Sequence, residues 1–311
     1  MALVFFLVAM AGWLDVAGRI DGGQHLTVIA LQVVLILLTS VIYCKIKGED
    51  FTKRLKLRAV GLEQILLALL GAVILVCGSL IIGIATGTGT AAEEFSLYNT
   101  YNVRHDGTAE SFFIITIAYA ALPAVCEEFM FRGVISAEYE KYGIPLSIVM
   151  TTLFFSMLHF SLPMLIIYVF AGIVIHLTTL ATRSLLGGIV LHFLFNMYGL
   201  FGQSAINEIY KTTGSDELFI LILVAALLVF LFLFCSEAAR LYRRYSRANL
   251  PSSSPSDRTR EVSGGGRRKK VDAPREKQQR KQSDIYYKAL LTPPSLVCYL
   301  IFLVAALTLG R

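Results

Sequence analysis

Cysteine is scarce in this 311-residue chain and has no regular spacing. The five cysteines form no CxxC pair, and all of them lie in or at the ends of apolar stretches. We therefore interpret them as small buried hydrophobic residues and exclude a disulfide framework and a cysteine zinc site. The HExxH spacing of the common zinc proteases is absent as well.

The chain also lacks the polar composition of a soluble protein. Hydrophobic residues other than glycine make up 56% of it, and glycine adds 24 residues. In soluble domains the apolar share with glycine included is about 45–50%. Length alone would suggest two soluble domains of roughly 150 residues each, but the long apolar runs override that estimate and indicate a membrane protein.

The apolar runs predict membrane-spanning helices, because about 20 apolar residues cross the roughly 30 Å of hydrocarbon. Runs of this length are too long for barrel strands, and only helices and closed barrels satisfy the backbone in lipid. We predict an all-α polytopic membrane protein with eight or nine transmembrane helices and a four-helix core. The first run lacks a basic segment in front of it, so we interpret it as a weak span and not as a cleaved signal peptide. The predicted spans are 2–17, 26–45, 60–85, 111–131, 144–162, 163–181, 184–203, 217–236 and 289–310.

Charge predicts the orientation of these spans. Segment 45–58 carries six Lys or Arg residues, and segment 237–288 carries fifteen against six Asp or Glu. By the positive-inside rule both segments face the cytoplasm. Alternation along the chain then places two segments outside and two further positions inside: 86–110 and 204–216 outside, 132–143 and Arg183 inside.

Segment 246–288 is rich in Ser, Pro, Gly and basic residues, and has almost no apolar residues to bury. It is therefore predicted to be a disordered cytoplasmic linker. Its basic run allows contact with anionic lipid, although a solvated linker kept inside by its charge is the favoured interpretation. We expect no nucleic-acid partner.

Several ionisable and polar side chains lie in segments that are apolar enough to enter a bilayer. A charged group there costs roughly 2.5–3.5 kcal/mol on insertion scales. Because so many such groups in three segments need partners, we expect them to line one polar cavity. They are Glu127, Glu128, Arg132, His159, His192 and Asn196.

Helix periodicity divides these residues into groups. Glu128 and Arg132 are four apart, so they share a face and can pair. Glu127 is rotated by about 100° from Glu128 and can meet a different helix. His192 and Asn196 are again four apart on one face of a later helix.

These residue types suit hydrolysis by a water molecule. A carboxylate removed from solvent can act as a general base, and a neighbouring imidazole can share the proton and orient the water. Imidazole and amide groups can donate hydrogen bonds to the oxyanion that develops on a peptide carbonyl. Such a reaction requires no Ser or Cys nucleophile.

The chain resembles the CAAX prenyl endopeptidase and bacteriocin-processing family of intramembrane proteases, also called CPBP or Abi proteins. Three motifs of the family occur in order: Glu127-Glu-Phe-Met-Phe-Arg132, Phe155-Ser-Met-Leu-His159 and His192-Phe-Leu-Phe-Asn196. The resemblance covers about residues 111–200. It implies that Glu127 and His159 activate water and that His192 and Asn196 form the oxyanion site. It further implies that Glu128 and Arg132 support the site structurally.

These interpretations predict five regions. Residues 1–110 hold N-terminal spans and the basic loop, and 111–203 form the catalytic core. A further span with its cytoplasmic helix end occupies 204–245, the linker 246–288, and the last span 289–311. We expect a membrane-associated or lipidated peptide as substrate, the lipid bilayer as surroundings, no cofactor, no metal, and the plasma membrane of a prokaryote as location.

Other functions remain open at this stage. Glu127, His159 and His192 could instead hold zinc, since three protein ligands and a water suit a catalytic zinc. A non-enzymatic membrane protein is the second alternative, either a transporter with a proton relay or an immunity or scaffold protein. The sequence has no inverted repeat and no matching pair of interrupted helices, which argues against a transporter.

Some residues also have simple structural interpretations. Glu128 and Arg132 could be only a buried ion pair, and Phe155 is more typical of core packing than of a site. His176 is predicted to be structural, because it lies in the middle of an apolar span. His25 and His105 fall in loop-like stretches and carry no functional signal.

Overall fold

A computed structural model describes residues 1–14, 24–48, 55–88, 109–248 and 285–309. Helix takes up 88% of these residues, and none of them lies in a β-strand. The predicted all-α polytopic membrane fold is therefore confirmed. Most of the predicted linker 246–288, and also His105, lie outside the described residues.

The fold consists of ten main helices within the described ranges, with a short helical turn at 285–290. In chain order they are α1 (Ala2–Trp13), α2 (His25–Lys47), α3 (Leu62–Thr86), α4 (Ser111–Glu140), α5 (Ile144–Met157), α6 (Leu165–Thr182), α7 (Leu185–Phe201), α8 (Gln203–Thr213), α9 (Asp216–Ala248) and α10 (Pro293–Leu309).

Each of the nine predicted spans coincides with a helix, but the helices differ in length. Five of them, α2, α3, α4, α6 and α9, are long and apolar enough to cross a membrane. Helices α7 and α8 form a pair that is bent by 69°. Helices α1, α5 and α10 are shorter and apolar. The count of eight or nine spans thus stays a prediction.

Two helices continue past their predicted ends. Helix α4 reaches Glu140, so 132–143, expected as an inside loop, is largely helical. In this part of α4, the hydroxyls of Ser136 and of Ser147 on α5 form a buried hydrogen bond at 3.0 Å. This bond joins the added turns of α4 to α5. Helix α9 continues past residue 236 because its added turns bury Leu241 against α3 and carry the Glu237–Arg240 ion pair. Packing therefore extends both helices beyond their apolar runs.

The segments that were predicted to share the cytoplasmic side lie together at one end of the bundle. Lys56 forms an ion pair with Glu140, with Nζ and Oε1 2.6 Å apart. The Ser184 hydroxyl donates to the carbonyl of Arg58, and the Tyr245 hydroxyl donates to the carbonyl of Thr182 at 3.3 Å. We call this the Lys56–Glu140 end. Its contacts confirm that these segments share a side, whereas its cytoplasmic location stays a prediction.

Helices α2 and α4 run in the same direction and in a constant register. Three side-chain hydrogen bonds join them: His25 Nδ1 to the Tyr119 hydroxyl at 3.2 Å, Gln32 Nε2 to Glu127 Oε1 at 3.1 Å, and the Tyr43 hydroxyl to Glu138 Oε1 at 2.8 Å. The two partners of each bond are 94, 95 and 95 residues apart in the sequence. A separation that stays constant along the whole contact requires the two helices to run parallel. The loop-like interpretation of His25 was wrong, because the residue begins α2 and contacts α4.

The two terminal helices pack together against the end of α5. The Trp13 indole donates to the Thr308 hydroxyl at 2.7 Å and so joins α1 to α10. Phe5 of α1 is fully buried and makes edge contacts with Phe154 and Phe160. Helices α1 and α10 therefore cover the part of the molecule that holds the Phe155-Ser-Met-Leu-His159 motif.

Candidate active site

Three π-helical segments interrupt the helices that carry the candidate site. They are Gln32–Leu38 in α2, and Ile117–Ala121 and Phe129–Ile135 in α4. Each contains a residue that contacts one of the predicted site residues: Gln32, Ala120 and Arg132. Because π turns change the direction in which side chains leave a helix and are frequent at functional sites, this coincidence marks the region as specialised.

Glu128 is fully buried and is the centre of an ionic cluster. Its Oε1 accepts a hydrogen bond from Arg132 Nη1 at 2.6 Å and another from His192 Nδ1 at 2.9 Å. The other amino group of Arg132 donates to the carbonyl oxygen of Gly172 at 2.9 Å. The expected pairing of Glu128 with Arg132 is thus present, and the cluster also ties α4 to α6 and α7.

Two glycines allow the helices around this cluster to approach closely. A Cβ on Gly188 of α7 would lie 2.3 Å from Thr179 Oγ1 and 3.1 Å from Glu128 Oε2. A Cβ on Gly172 of α6 would lie 2.9 Å from Thr152 Cγ2. Larger side chains would push α7 away from Glu128 and α6 away from α5. The absence of a side chain at both positions therefore permits this close helix packing.

Phe155 of α5 lies between the ionic cluster and His159. The Arg132 guanidinium stacks over its ring at 4.6 Å, and the rings of His192 and His159 meet it edge-on at 5.7 Å and 5.0 Å. Its side chain is 2% exposed, as core packing requires. Because both imidazoles contact the same phenyl ring, the structure brings the second and third sequence motifs together.

His159 lies in the turn that follows α5, and two neighbours fix the plane of its ring. Its Nδ1 is 2.9 Å from the carbonyl oxygen of Phe155, and its ring stacks on Tyr168 with centroids 3.9 Å apart. Since a carbonyl oxygen can only accept, Nδ1 must carry the proton in this bond. His159 also interacts electrostatically with Glu127, His192 and Arg132.

Glu127 has a different environment from its neighbour Glu128. Its side chain is buried, with 7% of the residue exposed, and Oε1 accepts a hydrogen bond from Gln32 Nε2. Its other oxygen, Oε2, is buried and has no hydrogen-bond partner within the described part of the chain. Glu127 therefore retains an acceptor atom in an enclosed region that also holds His159.

Asn196 lies one turn after His192 on α7, in the position that the motif spacing predicts. Its Nδ2 donates to the carbonyl oxygen of Ala120 at 3.4 Å, which is a long hydrogen bond. The bond reaches the π segment Ile117–Ala121 and so joins α7 to this part of α4. A weak contact of this kind leaves the amide able to turn toward another acceptor.

Sequence reasoning missed two residues of this region. Gln32 contacts Glu127 from α2, and Tyr168 stacks on His159 from α6. Gln32 carried a signal, because it is an amide in the otherwise apolar segment Ala30–Leu38. Tyr168 carried none, since an aromatic residue near the end of a span is ordinary.

The remaining buried histidine lies apart from these contacts. His176 of α6 is 1% exposed, and its Nδ1 has no hydrogen-bond partner among the residues described. Its structural role stays a prediction. Over the described ranges, no three His, Cys, Asp or Glu side chains are grouped so that they could hold a metal ion, and the zinc alternative gains no support from this geometry.

Residues 109–198 match the family described as Type II CAAX prenyl endopeptidase Rce1-like. The match runs from the start of α4 into α7 and contains all three sequence motifs, so the family resemblance found in the sequence is confirmed. No curated protein and no solved structure matches the chain. Gln32 lies outside the matched segment.

Proposed function

We propose, starting from the match of residues 109–198 to the Rce1-like CAAX endopeptidases, that this chain is an intramembrane endopeptidase. It would hydrolyse a membrane-associated or lipidated peptide with a water molecule activated by Glu127 and His159. His192 and Asn196 would stabilise the oxyanion. The observation that carries the proposal is the difference between the two adjacent carboxylates: Glu128 is paired with Arg132 and His192, whereas the only hydrogen-bond partner of Glu127 in the described chain is the neutral amide of Gln32.

The hydrogen bonds of His159 make it suitable as a base. With Nδ1 donating to the Phe155 carbonyl, the neutral ring has its lone pair on Nε2. Stacking on Tyr168 keeps the ring in one plane and so fixes the direction of that lone pair. A water placed between Nε2 of His159 and Oε2 of Glu127 would donate a hydrogen bond to each and direct its own lone pair at a carbonyl carbon.

The hydrogen bonds of His192 suit it to the opposite role. Nδ1 of His192 donates a hydrogen bond to Glu128, so Nε2 is the ring nitrogen that remains for a substrate. When both ring nitrogens carry protons, Nε2 donates to the oxyanion, and the hydrogen bond from Nδ1 to the Glu128 carboxylate stabilises the charged ring. Glu128 then acts as a positioning residue for His192, in addition to its pairing with Arg132.

The proposed reaction balances without a further reactant. The water oxygen attacks the peptide carbonyl carbon, one water proton passes to Glu127, and the carbonyl oxygen becomes the oxyanion held by His192 and Asn196. When the intermediate collapses, the C–N bond breaks, and the proton held by Glu127 passes to the leaving nitrogen. The second water proton leaves the new carboxyl group for the amine, so the products are a carboxylate and a protonated amine.

A cleavage assay in lipid nanodiscs tests the proposal. The probe is an internally quenched farnesylated peptide that ends in a CAAX sequence, with the same peptide without the farnesyl group as comparison. Wild type should cleave the farnesylated peptide, and mass spectrometry should find one new peptide end. Glu127→Gln should lower the rate by about 10²–10⁴-fold, the usual contribution of a general base.

Glu138→Gln is the matched control, because it makes the same change on the same helix at a residue that contacts α2 away from the site. It should retain cleavage. Absence of cleavage of either peptide by wild type, or near wild-type rates in both Glu127→Gln and His159→Ala, would overturn the proposal. Proton flux into liposomes that depends on Glu127, without cleavage, would instead support a transporter.

A further inference from the structure

Helix α2 lies outside the segment that matches the protease family, yet it supplies a hydrogen bond to the proposed base. We propose that Gln32 is a positioning residue for Glu127, and that α2 is therefore part of the catalytic unit. This inference rests on the proposed function. It concerns how the carboxylate is aimed and leaves the identity of the base unchanged.

The direction of the hydrogen bond follows from the chemistry of the two groups. An ionised carboxylate can only accept, so the amide must turn its NH₂ group toward Glu127. This bond occupies Oε1 of Glu127 and leaves Oε2 as the only acceptor oxygen of the group without a partner in the described residues. Gln32 thereby determines which carboxylate oxygen of Glu127 is left without a partner there.

Packing alone does not account for a glutamine at this position. The register of α2 against α4 is already fixed by two other hydrogen bonds, one from His25 to Tyr119 and one from Tyr43 to Glu138. Gln32 lies between them, and its own Oε1 is buried without a partner in the part of the chain described. Burying an unpaired polar atom is unfavourable, so a leucine would serve helix packing better.

The local backbone supports the same interpretation. Gln32 is the first residue of the π segment Gln32–Leu38, and Glu127 lies just before the π segment Phe129–Ile135. Each segment changes the helical register at, or within two residues of, one partner of the hydrogen bond. Two such changes on facing helices bring together an amide and a carboxylate that both belong to the interior of a bilayer-spanning bundle.

Kinetics in the nanodisc assay with the farnesylated peptide test this role. Gln32→Leu keeps a residue of similar size but removes the donor, so the Glu127 carboxylate can rotate away from its productive position. Misplacement of a reacting group by about 1 Å can cost on the order of 10² in rate. We expect kcat to fall by about that factor while KM stays unchanged, because Gln32 acts on the position of Glu127 and is not proposed to contact the peptide.

Tyr43→Phe is the matched control, since it removes another α2–α4 hydrogen bond without touching the site. It should leave kcat close to the wild-type value. Equal losses in Gln32→Leu and Tyr43→Phe, together with equal losses of stability, would show that Gln32 only helps to join the helices. That result would overturn the positioning role while wild-type cleavage still upheld the proposed function.

Gln32→Glu gives a second readout that a purely structural role would not produce. The new carboxyl group can donate to Glu127 only while it is protonated. Activity relative to wild type should therefore be low at neutral pH and should recover as the pH is lowered. A ratio of rates that does not change with pH would contradict the proposed hydrogen bond.

A measurement without substrate separates this inference from the proposed function. Dicyclohexylcarbodiimide modifies membrane-embedded carboxyl groups in their protonated form, and mass spectrometry locates the modified residue. Gln32→Leu removes a donor that favours the charged form of Glu127, so Glu127 should be modified several-fold faster than in wild type or Tyr43→Phe. Equal rates in all three proteins would overturn the inference even if no peptide were cleaved.

Discussion

The surroundings of Glu128 and Glu127 differ more than their adjacent positions in the chain would suggest. Glu128 is at the centre of an ionic cluster that holds three helices together through Arg132, His192 and Gly172. Glu127 accepts a single hydrogen bond in the described chain, from a neutral amide on α2, and has no cationic partner there; in both carboxylates Oε2 is buried without a hydrogen-bond partner in the described residues. A rotation of about 100° along the helix thus separates a carboxylate whose charge is balanced from one that can still react.

The difference shows how a bundle can hold two buried carboxylates for different purposes. A buried charge is tolerated when it is paired and hydrogen-bonded, and its removal then disturbs the fold. A carboxylate that is held only by a neutral amide, without a cation paired to it, contributes less to the fold and remains available for chemistry. Substitutions on the Glu128 side should therefore affect stability, and substitutions on the Glu127 side should affect turnover.

The largest effect on stability is expected for Glu128→Gln. It removes the charge that balances Arg132, whose guanidinium is buried among α4, α5 and α6. Breaking a buried ion pair by removing one partner costs about 3–5 kcal/mol, which SDS-induced unfolding in mixed micelles can measure. A stability loss as large in Glu127→Gln would abolish the proposed division between the two carboxylates.

Asn196→Ala should have the next largest effect, and on rate instead of stability. Loss of one oxyanion donor typically lowers kcat by about 10²–10³-fold, or about 2.7–4 kcal/mol. The only hydrogen bond of the side chain that the structure shows in the described ranges, to the Ala120 carbonyl, is long at 3.4 Å, so little stability should be lost. Unfolding at a much lower SDS fraction, with unchanged kcat in the folded protein, would reassign Asn196 to the fold.

Gly188→Ala tests the close approach of α7 to the Glu128 cluster. The added methyl group would overlap Thr179 Oγ1 at 2.3 Å and approach Glu128 Oε2 at 3.1 Å. Overpacking of this kind costs about 1–3 kcal/mol in unfolding free energy. Adding Thr179→Ala should recover part of that loss in the same unfolding assay, and no recovery would mean that the strain lies elsewhere.

Tyr168→Leu should have the smallest effect of the four and act on the Glu127 side. It removes the ring that stacks on His159 at 3.9 Å. Aromatic pairs contribute about 0.5–1.5 kcal/mol beyond their buried area, so the activation free energy should rise by that amount in the peptide assay. Tyr168→Phe keeps the stack and should behave as wild type. An equal loss in both variants would point to the hydroxyl group instead.

Much of the fold could be predicted from the sequence, because lipid imposes simple rules on chain length and polarity. The nine apolar runs coincide with helices, and the positions predicted to share one side meet through Lys56, Glu140 and Ser184. The helix ends could not be predicted as well. The last turns of α4 and α9 are stabilised by Ser147 and by burial of Leu241, which are tertiary contacts that a hydropathy pattern does not contain.

The candidate site was predictable in its members and less so in its connections. Motif spacing indicated the pairing of Glu128 with Arg132, because that pair is local on one helix. The bond from His192 to Glu128 spans 64 residues, and the bond from Gln32 to Glu127 spans 95. Contacts at such separations depend on how helices pack, and the π segments that turn these residues toward each other have no recognised sequence signature.

The register of α4 against the Lys56–Glu140 end also limits how a peptide can reach Glu127. Glu127 precedes Glu140 by thirteen residues, which at 1.5 Å per residue is about 20 Å along the helix. An extended chain covers about 3.3–3.6 Å per residue. A peptide that enters from the Lys56–Glu140 end therefore needs about six extended residues to bring a bond to the carboxylate, and a shorter tail would stop before it arrived.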